Sequence, residues 1–254
     1  MIDKIVFMAG VRRGGQHAAS GWLISQMPFP VVHNVNDIYD LSNIKTICGK
    51  NNLVIFTRQN DTIVKSTTRN PNEFWSQDIQ CLIIGCEDVE VDIYPVDDIN
   101  THLSPLCDNI TKILVIRDPF NTMASLYKVG RGIPQDIKRW KKLAREAMGK
   151  TDFIGFDHIF LYNKWFNDRQ YRYDMAKNLG FEYRCDNKKV YDFGGGSSFD
   201  GVKYDGKPRR MDVMHRWQEF RSDNNFRKLF DNEVIELSNE LFGPIDGVES
   251  LINE

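Results

Sequence analysis

A glycine-containing loop near the N-terminus has the residue types and spacing of an anion-binding loop. Residues 10–17, Gly-Val-Arg-Arg-Gly-Gly-Gln-His, follow an apolar run and precede a helical pattern. Their glycines fit the phosphate-loop spacing G-x-x-x-x-G, in which backbone N–H groups and the helix dipole point at a phosphate. Gln16 replaces the usual lysine, and His17 replaces the Ser/Thr that would bind Mg²⁺. The sequence therefore predicts a site for a metal-free anion, with Arg12 and Arg13 supplying positive charge. The alternative is an ordinary turn with two solvated arginines.

A second segment places an arginine and a serine where they could share one oxyanion. The apolar run Lys112–Ile116 leads into Arg117-Asp-Pro, and Ser125 follows Arg117 by eight residues. An arginine at the carboxyl end of a strand faces the crevice in which α/β sheets bind ligands. Eight residues correspond to about two helical turns, which brings Ser125 back toward Arg117. The alternative is an ordinary ion pair formed by the arginine.

The elements that position these residues alternate between strands and helices. Short, continuous β-branched runs indicate strands buried on both faces of a parallel sheet, and capped helical patterns separate them. The expected strands are Lys4–Ala9, Pro30–His33, Leu53–Phe56, Cys81–Gly85, Lys112–Ile116 and Ile159–Tyr162. The expected helices are Ala18–Met27, Pro119–Val129, Asp136–Met148, Asp168–Leu179 and Asn232–Phe242. We therefore expect one α/β domain over residues 1–254, with a central parallel sheet, helices on both faces and a P-loop topology.

Together the two segments resemble the PAPS-dependent sulfotransferases, P-loop proteins that use 3′-phosphoadenosine 5′-phosphosulfate (PAPS). In that family a loop of Lys or Arg followed by Ser-Gly-Thr binds the 5′-phosphosulfate, and residues 13–16, Arg-Gly-Gly-Gln, match it. Gly14 and Gln16 stand where the family has hydroxyl side chains. A later strand in the family ends in Arg-Asp/Asn-Pro, with a Ser eight residues on, and that pair binds the 3′-phosphate. Arg117 and Ser125 match this pattern.

The resemblance implies transfer of a sulfuryl group from PAPS to a hydroxyl or amine of a small-molecule or glycan acceptor, without a metal. Arg13 would stabilise the leaving phosphate of the product, adenosine 3′,5′-bisphosphate (PAP). The residues implied in PAPS binding are Arg12, Arg13, Gly14, Gly15, Gln16, His17, Arg117 and Ser125. Two alternatives stay open: a P-loop small-molecule kinase, and a catalytically silent nucleotide-binding module.

Sulfuryl transfer also needs a base that accepts the proton of the attacking group. In the family the base, a His or a Glu, follows a strand, and Glu87 follows the apolar run Cys81–Gly85. His102 is the second candidate, although it lies in a predicted helix. We expect Glu87 to be the base. The alternative role for Glu87 is a solvated or ion-paired acid.

A late glycine-rich stretch resembles the basic loop that closes over the 3′-phosphate in this family. Residues 194–201, Gly-Gly-Gly-Ser-Ser-Phe-Asp-Gly, precede the bases Lys203, Lys207, Arg209 and Arg210. Arg210, or else Arg209, is the expected contact to the cofactor. An ordinary solvated loop is the alternative.

Composition excludes several other classes of protein. With 33 Lys and Arg against 35 Asp and Glu, the net charge is −2, which argues against a nucleic-acid-binding protein. The balance is uneven, because residues 78–108 hold acids and no Lys or Arg, whereas residues 112–145 are strongly basic. No apolar run approaches the ~18 residues of a membrane span. The cysteines and histidines lack metal-ligand spacing, so we expect a reduced, cytoplasmic protein.

Overall fold

A computed structural model describes residues 2–27, 31–35, 53–59, 62–68, 80–88, 96–131, 134–184, 190 and 196–251. Pro30 and positions 194–195, which belong to the predicted strand and loop above, lie outside these ranges. The described strands form one sheet, in the order β4-β3-β2-β5-β1-β6-β7. They are β1 (Lys4–Gly10), β2 (Val31–Val35), β3 (Leu53–Gln59), β4 (Thr62–Thr68), β5 (Cys81–Glu87), β6 (Ile110–Ile116) and β7 (His158–Leu161).

Most of the sheet is parallel, as predicted. The five strands β2, β5, β1, β6 and β7 run in one direction. The expectation that Leu53–Phe56 belongs to the parallel sheet was wrong, because β3 pairs antiparallel with β2 and also with β4. Strand β4 was not predicted, since its sequence, Thr-Ile-Val-Lys-Ser-Thr-Thr, lacks a continuous apolar run.

The helices cover both faces of the sheet, and all five predicted helices are present with ends shifted by up to two residues. In the described residues they are α1 (Gln16–Gln26), α2 (Val96–Leu103), α3 (Pro119–Tyr127), α4 (Pro134–Ala147), α5 (Tyr162–Asn167), α6 (Arg169–Asn178), α7 (Asn224–Arg227) and α8 (Asn232–Phe242). Alternate residues of β1 enter two separate cores, because successive side chains of a strand point to opposite faces. Phe7 packs in the core with Trp140 of α4, whereas Met8 packs in the core with Trp22 of α1.

The pairing of β1 with its neighbours brings the predicted functional segments to one edge of the sheet. The register places Gly10, the last residue of β1, opposite Glu87, the last residue of β5. Strand β6 lies on the other side of β1 and ends at Ile116, directly before Arg117. Since these strands are parallel, their carboxyl ends form the crevice in which such sheets bind ligands.

Candidate functional site

A cavity of about 440 Å³ lies at this edge of the sheet. Its walls come from the loop after β1, the end of β5, Arg117 and Ser125 on either side of the first two turns of α3, helix α5 and the segment between residues 196 and 216. The predicted site residues among those that line it are Arg12, Arg13, Gly15, Gln16, His17, Glu87, Arg117 and Ser125. The two predicted binding segments therefore meet around one cavity.

Gly15 shapes the loop at the start of α1. It is the N-cap of α1 with φ of 101°, a left-handed conformation that favours glycine. A Cβ atom at this position would lie 2.2 Å from Cδ2 of Tyr162, so a side chain would also collide with α5. Residues 15–18 all line the cavity, and the first N–H groups of a helix have no acceptor within the helix. The positive end of α1 therefore faces the cavity and could bind an anion.

The two departures from the family's loop sequence have structural explanations. The N–H of Gly14 donates to the carbonyl of Val11 at 2.9 Å, and a Cβ at Gly14 would lie only 2.7 Å from that oxygen. This tight turn leaves no room for a serine. The buried Gln16 side chain donates from Nε2 to the carbonyl of Cys86 at 3.0 Å, which ties α1 to β5. Gln16 thus fixes the loop against the strand that carries Glu87.

The two loop arginines have different partners. Arg12 donates to the Asp88 carboxylate from its backbone N, at 3.1 Å, and from its side-chain Nε. Arg13 has the left-handed φ of 63°, and its Nη1 donates to the carbonyl of Gly196 at 3.1 Å. Arg12 therefore anchors the loop to the end of β5, whereas Arg13 reaches the late segment on another wall of the cavity.

The turn after β6 holds Arg117 in place. Asp118 is the N-cap of α3, and Oδ1 of its carboxylate accepts from the N–H of Asn121 at 2.8 Å. Pro119 follows at the first helical position, where its missing N–H costs nothing. Nε1 of Trp140 donates to the carbonyl of Arg117 at 2.8 Å. Both ends of the turn are thus fixed by buried hydrogen bonds.

Arg117 and a second arginine, Arg216, converge on Ser125. Nη1 of Arg117 lies 3.4 Å from Oγ of Ser125, and Nη1 of Arg216 lies 3.2 Å from the same atom. Nη2 of Arg117 donates to the carbonyl of Val213, and Nη2 of Arg216 donates to Oγ of Ser197 at 2.7 Å. Both guanidinium groups are more than nine-tenths buried, and neither Nε has a hydrogen-bond partner in the described part of the chain.

This pair of buried cations is only partly neutralised. Oδ2 of Asp118 lies 4.0 Å from Nε of Arg117, and Oδ2 of Asp200 lies 3.4 Å from Nη2 of Arg216. Burial, together with the charge of Arg117, lowers the pKa of Arg216 to about 10. An anion bound beside these guanidinium groups would lower the cost of holding both charges.

Glu87 lies beside the loop, as its place at the end of β5 predicts. Its Oε1 is 3.6 Å from Nε2 of His17, the second residue of α1. Both side chains line the cavity and are about one-fifth exposed. His102, the alternative base, lies on α2 and is not among the described residues that line the cavity.

The structure does not bring Arg210 to the cavity. Arg209 and Arg210 are exposed in a 3₁₀ turn, Pro208–Arg210. Arg216, which the sequence reasoning missed, lies at the cavity instead. The only signal for Arg216 in the sequence was its place in the run His-Arg-Trp at 215–217, since a neighbouring tryptophan suggests a packed rather than a solvated segment.

Aromatic side chains form one wall of the cavity. Tyr162, Trp165 and Phe166 of α5 all line it. The guanidinium carbon of Arg117 lies 5.1 Å from the centre of the Tyr162 ring, within the range of a cation–π contact. The cavity thus combines cationic groups with flat apolar surfaces.

The described residues contain neither a metal-binding cluster nor a membrane-spanning helix. Within those ranges, no cluster of three or more His, Cys, Asp or Glu side chains could hold a metal ion. None of the described helices has the length and apolar character needed to cross a membrane.

Comparison with solved structures relates this architecture to known proteins. The sulfotransferase domain of the olefin synthase of Synechococcus PCC 7002 matches 94% of this chain over 95% of its own length, with a TM-score of 0.52 and 12% identity. The chain shares the fold of a sulfotransferase domain. The mouse sulfotransferase SULT7A1, solved in complex with PAP, matches 98% of this chain over 90% of its own length, with a TM-score of 0.41 and 9% identity. No model of a known protein family and no curated protein matches the chain. The resemblance found in the sequence is confirmed at the level of the fold.

Proposed function

We propose that this protein is a sulfotransferase that moves a sulfuryl group from PAPS to a hydroxyl or amine acceptor. The observation that carries the proposal is the convergence of the buried side chains of Arg117 and Arg216 on Ser125, all three of which line the cavity. Two guanidinium groups and a hydroxyl suit a phosphate dianion, which accepts several charge-assisted hydrogen bonds. In PAPS this group is the 3′-phosphate.

The loop after β1 suits the other end of the same molecule. The N–H groups at the start of α1, which faces the cavity, and the side chain of Arg13 can bind the 5′-phosphosulfate. A phosphosulfate needs no magnesium ion, in agreement with Gln16 and His17 at the positions where a nucleoside triphosphatase has Lys and Ser/Thr. The aromatic wall of α5 offers surfaces for the adenine ring.

In the transfer reaction, one residue would act on the acceptor and other groups of the chain on the leaving phosphate. Bound PAPS supplies an electrophilic sulfur on a good leaving group. The acceptor oxygen or nitrogen forms a bond to sulfur while the bond from sulfur to the bridging oxygen breaks, and the released electron pair stays on the 5′-phosphate of PAP. Glu87 takes the proton of the acceptor. Arg13 and the loop N–H groups stabilise the charge that develops on the leaving phosphate.

Calorimetric titration tests this proposal against its two rivals. We expect PAP to bind without Mg²⁺ and more tightly than ADP or ATP, and radiolabelled sulfate to pass from PAPS to an acceptor in a panel of phenols, amines and sugars. Magnesium-dependent binding and turnover of ATP would favour a small-molecule kinase. Tight PAP binding without consumption of PAPS would favour the silent nucleotide-binding module.

A further inference from the structure

The side chain of Asn121 links α3 to the segment that carries Arg216. Its Nδ2 donates to the carbonyl of Met214 at 2.9 Å, and its Oδ1 accepts from the backbone N–H of Arg216 at 2.8 Å. These two bonds flank residue 215, so one amide side chain fixes the backbone on both sides of it. Asn121 is completely buried and is not among the described residues that line the cavity. Its contacts therefore act on the segment of Arg216 and not directly on a bound molecule.

The cap of α3 explains the direction of this side chain. Asn121 is the third helical residue after the N-cap Asp118, where a capping box would return a side chain to the N–H of the cap residue. Here Oδ1 of Asn163 on α5 accepts from that N–H instead, at 3.1 Å. Nδ2 of Asn121 also lies 3.0 and 3.1 Å from the two carboxylate oxygens of Asp118. Only one orientation of the amide fits these partners, because the reversed amide would turn its oxygen toward a carboxylate and a carbonyl.

We infer that Asn121 is a positioning residue for Arg216, an inference that rests on the proposed function. Nη1 of Arg216 lies 3.2 Å from Oγ of Ser125, and Ser125 follows Asn121 on α3 by about one helical turn. The same helix therefore carries a residue of the anion site and the residue that fixes the backbone of its second arginine. An arginine side chain has several torsions, so its guanidinium is preorganised only if its backbone is held in place.

A matched pair of variants on α3 tests this role. Asn121→Ala removes both bonds to the late segment. Thr122→Ala is the control, because Thr122 is also completely buried but donates from Oγ1 to the carbonyl of Asp118 at 2.7 Å, within α3 itself. Both substitutions are made in the wild type and in Arg216→Ala. Calorimetry gives the dissociation constants of PAP and of adenosine 5′-monophosphate (AMP), which lacks the 3′-phosphate, and hydrogen exchange reports on the backbone N–H of Arg216.

We expect Asn121→Ala to raise the dissociation constant of PAP about fivefold or more and that of AMP less than about twofold, because AMP has no 3′-phosphate for Arg216 to bind. In Arg216→Ala the same substitution should change PAP affinity by less than about twofold, since the group that it positions is absent. Thr122→Ala should leave both constants within about twofold of the wild type. The N–H of Arg216 should exchange slowly in the wild type and faster in Asn121→Ala, while the N–H groups of β1 keep their protection.

Three binding results would overturn the inference alone: PAP affinity of Asn121→Ala within twofold of the wild type, an equal loss for both nucleotides, or full additivity with Arg216→Ala. An unprotected N–H of Arg216 in the wild type would also overturn it, and this measurement does not require that Asn121→Ala folds. A wild-type protein that binds PAP no more tightly than AMP would instead overturn the proposed site for the 3′-phosphate, and the inference with it.

Discussion

Arg117 and Arg216 meet at one hydroxyl group, with their Nη1 atoms 3.4 and 3.2 Å from Oγ of Ser125. The first arginine follows strand β6, and the second lies in the 3₁₀ turn Arg216–Phe220. A site for a dianion is thus built from a rigid strand end and a late segment that packs against α3. We therefore expect mutation of either arginine to weaken the binding of a dianion to a similar extent.

Replacing either arginine should weaken the binding of PAP. Arg117→Ala and Arg216→Ala each remove a charge-assisted contact of about 1.5–3 kcal/mol, which corresponds to about a 10- to 150-fold higher dissociation constant. Calorimetry measures the effect, and Arg210→Ala is the matched control, because Arg210 is exposed away from the cavity. A loss below threefold in both variants, or an equal loss in Arg210→Ala, would contradict the assignment of the anion site.

Replacing the proposed base should separate binding from chemistry. Glu87→Gln keeps the size of the side chain, so PAP affinity should stay within about threefold of the wild type, while transfer should fall by about 100-fold or more. The measurement is single-turnover consumption of PAPS. His102→Gln serves as the comparison and should retain wild-type rates. Full turnover in Glu87→Gln combined with loss in His102→Gln would move the role of base to His102.

The lowered pKa of Arg216, about 10, gives PAP binding a pH dependence. Arg216 is charged at pH 8 and loses its proton as the pH rises through 10, so the attraction for the phosphate weakens at alkaline pH. Affinity should fall about twofold at pH 10 and about fourfold at pH 10.5, relative to pH 8. Arg216→Gln, which cannot titrate, should bind more weakly and lack this decline. An identical decline in both proteins would assign it to other groups.

Gly15 should tolerate no side chain. Gly15→Ala combines a left-handed backbone with a Cβ atom 2.2 Å from Tyr162, and we expect the free energy of unfolding to fall by about 2–5 kcal/mol. Gly130→Ala is the control, since Gly130 has φ of 72° but no atom within 4 Å of the added Cβ, so its loss should be about 1–2 kcal/mol. Unfolding in urea measures the free energy of unfolding of both variants and of the wild type. Equal losses would show that the contact with Tyr162 contributes nothing.

The parts of the fold and of the site that could be predicted are those determined by residues close to each other along the chain. The loop before α1 and the strand end at Arg117 are marked by glycines, apolar runs and a proline within a few residues of each other. The direction of β3 was wrong because an apolar run does not encode whether its partner is parallel. Arg216 was missed because its contact with Ser125 depends on the path of the chain through the late segment, where the resemblance to the family's basic, glycine-containing loop favoured Arg210.

The most direct test of the central claim is the ratio of the dissociation constants of adenosine 5′-monophosphate and PAP, which differ only in the 3′-phosphate. If Arg117, Arg216 and Ser125 bind that group, PAP should bind at least about tenfold more tightly in the wild type, and the ratio should approach one in Arg117→Ala/Arg216→Ala. Equal affinities of the wild-type protein for the two nucleotides would contradict the account.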